Sequence, residues 1–455
     1  MQTNLSIKLA IIAFVTMLLI IPLNMISGKI FERSQFLEQA KKSVSQSWTG
    51  KQKVMSALIV IPYNVHHKVN VVNKVTKEQT INVNTVAKQK FVIPDKITIV
   101  STIANDVRSK GIYKIPVYTT NLEISGEILP STLQAALKTI EKEANGGSIG
   151  TPYLTTTVSD PRGINSIPTL QWQDKQISFK PGSKLLKNNN GLHVPLPNIN
   201  LRPIKSIKFN FQLELRGMEA ISFIPIGKEA EINVSSTWPH PQFIGSFLPI
   251  SREISEEGYQ AVWKITSFAS NITDKINKCE YGACESLFNS HFGVKHIEAV
   301  DVYLQSERSV KYGMLFIGLS FITFFIFEVI MKLPIHPIQY TLVGFAIATF
   351  YLLLISLSEH INFLLAYIIA SVCCTSLLLS YLRYVLAGYK QALAFSGILL
   401  ILYAVLYVII SAEDLALVMG ALLTFTSLAI VMFATRNINW YEVGEQLSDK
   451  RDVER

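Results

Sequence analysis

Long apolar runs and one long polar block divide this chain. Six runs, at 7–27, 310–331, 338–357, 361–382, 393–410 and 415–434, each approach the ~20 residues needed to cross a ~30 Å hydrocarbon core. Lipid offers backbone groups no hydrogen-bond partner, so each run is expected to be helical. The loops between the last five are only a few residues long, which predicts antiparallel neighbours in a compact bundle.

Within the block 28–309 the periodicity changes. Residues 32–47 read as a polar continuation of the first helix, ending near Trp48-Thr49-Gly50. From Val54 onward, Val, Ile, Thr and Tyr alternate with polar residues, as in half-buried strands. Such segments fall at 56–61, 68–75, 79–86, 96–103, 111–120, 122–126, 153–158, 176–179, 206–216, 220–225, 229–236 and 260–266. One soluble helix is predicted at 132–144, capped by Ser131 and stopped by Asn145-Gly146-Gly147. The expected fold class is a multi-pass α-helical membrane bundle of six transmembrane helices. A large β-rich extracytoplasmic domain, built of sandwich-like or curved sheets, is inserted between helices 1 and 2. The domains expected are an anchor over 1–27, the β-rich domain over 28–309, a five-helix bundle over 310–435 and a tail over 436–455. The β-rich part either divides near 145–150 or holds two strand groups on one core.

Charge orients this arrangement. The 455 residues include 42 Lys and Arg against 33 Asp and Glu, a net charge of +9. The signs balance outside 28–309, so the β-rich block carries the whole excess and suits anionic headgroups or polymers. No basic run resembles a nucleic-acid patch, and nucleic acid is not an expected partner. Lys8, Lys332, Arg383, Lys390 and Arg436 share one side of the spans, while the opposite short loops hold Glu359 with His360 and Glu413 with Asp414. The positive-inside bias then puts both termini in the cytoplasm and 28–309 outside. Lys29, Arg33, Lys41 and Lys42 oppose that bias, but long domains translocate largely regardless of charge. The first run is read as an uncleaved anchor, because its apolar core exceeds a signal peptide's and no small-x-small site follows.

Several residues are candidates for chemistry. Cys279 and Cys284 lie in the outer block, where a disulfide is expected. Two free thiols, or a zinc site completed by His291 and His296, are the alternatives. Cys373 and Cys374 read as small apolar residues within a span. Glu328 sits at membrane depth, where a carboxylate is costly and marks function unless it snorkels or pairs with Lys332. Glu359 and His360 close the third span and could dock a basic surface or sense pH. Trp238-Pro239-His240-Pro241 is rigid, aromatic and charge-free, either a recognition loop or a corner between strands with Trp238 packed inside. Asp160 and Arg162 read as a pair across a turn, with Gly163 supplying an unusual backbone conformation. There is no Walker loop, GxSxG elbow, HExxH or dinucleotide fingerprint.

Several long stretches, in one order, resemble the CreD family of inner-membrane proteins. They include Asp160-Pro161-Arg162-Gly163-Ile164, Gly191-Leu192-His193-Val194-Pro195-Leu196-Pro197 and Ser236-Thr237-Trp238-Pro239-His240-Pro241. Further stretches are residues 243–252, residues 310–328, His336-Pro337-Ile338-Gln339-Tyr340, residues 350–360 and Thr435-Arg436-Asn437-Ile438-Asn439-Trp440-Tyr441. The resemblance implies a multi-pass protein of the bacterial inner membrane with a large periplasmic domain. It also implies a role in envelope integrity, with links to colicin tolerance and a two-component stress regulon. The family has no agreed molecular activity, so no catalytic residue carries over, and the Cys279 and Cys284 pair is not expected in every member. The expected function is therefore non-enzymatic support of envelope integrity and of stress or toxin tolerance. Membrane lipids are the expected neighbours, an envelope protein or anionic glycolipid the expected partner, and no cofactor or metal is called for. One alternative makes the bundle a transporter or lipid-handling device using Glu328, Glu359 and His360. Another places an enzyme in the outer domain, where Asp160, His193, His240 or His291 would converge.

Overall fold

The structure, a computed structural model, describes residues 3–72, 79–185, 189–197, 199–297, 302–331, 333, 335–386, 388–412 and 416–436. The chain divides into two compact units, Met1–Gln39 with Val300–Arg455, and Ala40–Ala299.

The first unit is helical. Helices α1 (Thr3–Leu18) and α2 (Ile20–Ser47) run almost without a break, and the amide of Leu23 still reaches the Leu19 carbonyl. The interruption at Leu19 has a local cause. Pro22 has no amide proton for the Leu18 carbonyl, and its ring crowds that turn. Five described helices are long and apolar enough to cross a membrane, against the six expected. They are Ile7–Ser47, Gly313–Met331, Pro337–Ser358, Phe363–Val385 and Tyr389–Ser411. In the last described helix, Ala416–Thr435, the apolar stretch Val418–Phe433 is shorter.

The second unit is mostly β. It comprises β1 (Gln52–Met55), β2 (Leu58–Val72), β3 (Gln79–Val92), β4 (Lys96–Lys110), β5 (Tyr113–Ile128), α3 (Pro130–Ala144) and β6 (Tyr153–Thr157). There follow β7 (Thr169–Trp172), β8 (Lys175–Ser178), β9 (Lys180–Pro181), β10 (Gly191–Pro195), β11 (Ile207–Met218), β12 (Ala220–Ile224) and β13 (Glu229–Ser236). The unit ends with β14 (Pro241–Gly245), β15 (Ser251–Ser255), β16 (Gly258–Thr266), α4 (Ser267–Ser270), α5 (Ile272–Glu280), α6 (Glu285–Asn289) and β17 (Phe292–His296). The first unit resumes with α7 (Val302–Lys311), α8 (Gly313–Met331), α9 (Pro337–Ser358), α10 (Phe363–Val385), α11 (Tyr389–Ser411) and α12 (Ala416–Thr435). Helix α9 opens on a capping box of His336 and Gln339 with Pro337 in its first turn, and α10 on an Asn362 cap.

The strands form three sheets, in the orders β1-β12-β17-β14, β3-β2-β6-β10-β9 and β15-β16-β13-β4-β5-β11-β7-β8. Most pairs are antiparallel, with β1–β12 and β4–β13 parallel. Alternation along β11 turns Ile207, Phe209, Phe211, Leu213 and Leu215 inward, and Ala230, Ile232 and Val234 of β13 join them. Residues on both sides of 145–150 share this core, including Ile61, Ile124, Ile140, Leu154 and Phe223. Within the described residues the sequence segments 56–61 and 68–75 fall on the single strand β2, and 111–120 and 122–126 on β5, where the inward alternation runs on through Asn121. Helix α3 begins at Pro130, and no side chain caps it at Leu129. Ser131 is therefore not its cap. Asn145 ends the helix in the left-handed region, at φ 48°. Gly126 has its own role: a Cβ there would sit 2.3 Å from the Phe209 ring, which lies across β5 and stacks on Trp172.

Trp263 anchors this core. It is fully buried, meets Phe243 and Phe292, and donates its indole N–H to the Phe247 carbonyl. Trp263→Ala is expected to destabilise the β-rich unit by about 3–5 kcal/mol. Thermal unfolding of the purified full-length protein, followed by near-UV circular dichroism, measures it. An unchanged melting temperature would contradict the packing described.

Candidate functional site

Two carboxylates fasten the first helix to the helical bundle. Glu328 of α8 has a side chain only 4% exposed and accepts a close ion pair from Lys8 of α1. The hydroxyl of Tyr340, on α9, donates to the other oxygen at 2.7 Å. Lys8 also donates to the Ile335 carbonyl at 3.0 Å. Three chain segments thus meet on one buried charge, which neither snorkels nor turns to a helix neighbour. Lys332, its expected partner, lies outside the described residues.

Glu359 makes the second junction. It follows α9, its side chain is 7% exposed, and it sits 3.5 Å from the Arg33 guanidinium of α2. Tyr303 of α7 donates its hydroxyl to the same oxygen at 3.2 Å. His360 is exposed and contributes only its backbone N–H, to the Leu357 carbonyl, so it does not join Glu359. Glu413 and Asp414 lie outside the described residues. Lys8 and Arg33 were visible in the sequence only as orientation signals. Nothing local could reveal their partners, which lie about 320 residues further along the chain.

In the β-rich unit Asp160 and Arg162 form a bidentate pair, at 2.9 and 2.6 Å. Arg162 also donates to the Gln46 and Ser45 carbonyls, neutralising the partial negative charge at the C-terminus of α2. The Arg162 guanidinium beside Asp160 holds that carboxyl below its usual range. Gly163 packs so closely on the Arg216 carbonyl that a Cβ would lie 2.5 Å away, and this close approach, rather than an unusual φ, demands glycine. Just beyond, Trp48 is held between the guanidinium groups of Arg108 and Arg216.

Trp238 is turned inward. Its indole N–H donates to the Ile297 carbonyl at 2.7 Å, and its ring packs on His296. His240 is exposed beside it. The segment is thus a corner between β13 and β14. His296 is 3% exposed, bonded to the Tyr259 hydroxyl at 3.0 Å and edge-on to Tyr118. Cys279 and Cys284 are joined in a disulfide that links α5 to α6 over Ile272, Ile276 and Leu287. The zinc and free-thiol alternatives therefore fall away: both sulfurs are bonded, His296 faces Tyr259, and His291 bonds the Asn289 carbonyl. His193 bonds the Gly182 carbonyl. Among the described residues Asp160, His193, His240 and His291 share no hydrogen bond, and no group of three or more His, Cys, Asp or Glu is placed to hold a metal.

Apolar helices at both ends of the chain, a β-rich domain between them, and charges spent on joining elements define an integral membrane protein. The model of the family described as Inner membrane protein CreD matches residues 4–441. Inner membrane protein CreD of Escherichia coli (strain K12) is 33% identical over 425 residues, covering 93% of this chain and 91% of that protein. The chain belongs to the CreD family. Among solved structures, an M1 zinc metallopeptidase of Deinococcus radiodurans, in a mutant form bound to a Tyr-Ser-Ala substrate, overlaps 38% of each chain. Its 9% identity and TM-score of 0.18 lie far below similarity of fold.

Two outcomes follow. Lys8→Met leaves a buried carboxylate unpaired and is expected to lower stability by about 3 kcal/mol, most of which Lys8→Met with Glu328→Met restores. Thermal unfolding of the three purified proteins gives the coupling, and purely additive losses would contradict the pair. His296 is held down to about 4 by burial, against about 6.5 in the unfolded chain. The unfolded chain therefore binds the extra proton between those values, and stability falls as pH drops from 6.5 to 4, by about 3 kcal/mol. His296→Gln should flatten that part of the pH profile of unfolding, relative to the unsubstituted protein.

Proposed function

We propose that this chain is a non-enzymatic inner membrane protein that supports the integrity of the cell envelope. In this reading the shorter α12 supplies a sixth span, both termini are cytoplasmic, and the β-rich domain serves in the periplasm as an interaction platform. The observation that carries this reading is the disulfide between Cys279 and Cys284, which suits an oxidising compartment. Arg33 supports it as well. Its charge opposed an outward location in the loop count, and pairing with Glu359 removes much of that objection. The partner expected of the basic domain is an envelope protein or an anionic glycolipid, recognised through its negative charge. Asp160, His193, His291 and His296 are each tied to structural neighbours, which favours a platform over an active site.

Deleting the gene is expected to alter sensitivity to detergent, β-lactam and colicin, and an unchanged response to all three would refute the envelope role. Topology is tested on the protein itself, with cysteine placed at the exposed positions Phe268 and Tyr389. A membrane-impermeant maleimide should label Phe268→Cys in intact spheroplasts. It should label Tyr389→Cys only after the membrane is permeabilised.

A further inference from the structure

Most hydroxyl groups described in the helical bundle have a partner, on their own helix or across to another. Many turn back on their own helix: Ser320 donates to the Phe316 carbonyl at 2.8 Å, Ser358 to Ile355 at 3.0 Å and Ser371 to Ile368 at 2.9 Å. That is how a hydroxyl is ordinarily satisfied in apolar surroundings. Five others do not. Ser306 and Ser309 of α7, Tyr351 of α9, Thr375 of α10 and Ser396 of α11 have buried oxygens with no hydrogen-bond partner among the described residues. Each of these residues is more than nine-tenths buried. Leaving one such group dry costs about 1–3 kcal/mol, so five together would consume much of a folded protein's margin of about 5–15 kcal/mol.

All five lie on the buried faces of α7, α9, α10 and α11. The buried face of α7 carries Tyr303, Ser306 and Ser309, and Tyr303 reaches Glu359 at the end of α9. Tyr351 lies about two turns deeper on α9. The hydroxyl-bearing carbon of its ring abuts Gly313, where a Cβ would lie 3.3 Å away. Tyr351 is also within electrostatic reach of Cys374, which accepts a hydrogen bond from the Tyr403 hydroxyl at 3.2 Å. Thr375 follows Cys374 on α10. Ser396 lies about two turns from Tyr403 on the buried face of α11. Phe350 meets Tyr351, Tyr367 and Tyr403, so α9, α10 and α11 converge on this point.

We propose that this interior binds a file of water molecules, running from the Glu359 end of the bundle down to Thr375 and Ser396. Water is the ligand the chemistry selects. The unpaired groups are neutral hydroxyls able both to donate and to accept, as a buried water with its 2–4 hydrogen bonds requires. None of the five is itself charged, so they offer an ion no counter-charge of their own. The file ends before Glu328, because Tyr340 is enclosed by the rings of Phe321 and Phe324. The Lys8 pair therefore stays dry, while water and protons have a route from the Glu359 end toward the bilayer middle. This inference concerns the bundle alone and does not rest on the envelope role.

Two adjacent native thiols allow a direct test. Cys373 lies exposed on the outer surface of an apolar helix, and Cys374 is buried. Hydroxyl-radical footprinting of the full-length protein in nanodiscs, read by tandem mass spectrometry, compares the same chemistry at both. Radicals arise from water, so an internal file makes Cys374 oxidise several-fold faster than Cys373, despite its burial. Equal rates, or faster oxidation of Cys373, would overturn the proposal. Thr375→Val, which removes one of the hydroxyls, should lower oxidation at Cys374 in protein whose melting temperature shows it folded. Unchanged oxidation in that variant would overturn the proposal equally.

Discussion

A single buried charge governs how the helical unit is joined. Glu328 cannot stand alone in hydrocarbon, and the partners that neutralise it come from two other segments of the chain, Lys8 of α1 and Tyr340 of α9. The need is real because apolar attraction between helices is weak in lipid, whose tails are as apolar as leucine. The N-terminal span is 22% buried, against 33–50% for the other four, so packing alone holds it least. An ion pair supplies direction and register where packing does not. Replacing both partners by apolar groups would be tolerated, whereas removing one leaves a charge with nowhere to go.

The pair of Arg33 with Glu359 repeats the device at the other end of the same helix. The helical rise of ~1.5 Å per residue separates Lys8 from Arg33 by roughly 38 Å. That is close to the ~40–45 Å of a bilayer with its headgroups. The two junctions thus lie toward opposite ends of the N-terminal apolar run. Each also includes a tyrosine hydroxyl from a further helix, Tyr340 or Tyr303, which satisfies an oxygen and fixes the carboxylate. Between the two junctions lie the unpaired hydroxyls, so polarity in this bundle is concentrated along its interior.

The β-rich unit solves a different problem. Its three sheets share one apolar core, and its polar groups finish edges and ends. Asp160 and Arg162 close the C-terminus of α2, Trp48 is pinned by two arginines, and the disulfide staples two short helices. His296, like His193, is a titratable ring buried beside aromatics. It fits there only as the neutral form, and it makes this unit's stability depend on acidity.

The apolar runs, the alternation of the strands and the turn at Asp160 were legible in the sequence because each rests on neighbours a few residues apart. Periodicity of 3.6 or 2 is a local property, and lipid leaves an apolar run no alternative to a helix. Pairing across the fold was not legible. Glu328 looked free to reach Lys332, and nothing nearby tied Arg33 to Glu359 or the Trp238 indole to the Ile297 carbonyl. Each partner was set by contacts between distant segments, which carry no periodic signal. The strand order followed from loop closures and shared burial, as when Ile61 and Phe223 meet in one core. Residue order along the chain was thus enough to say which segments are apolar enough for a membrane and which alternate as strands. Which charge meets which was left to the folded arrangement, because a buried charge accepts any opposite partner that the packing of the remaining chain brings within reach.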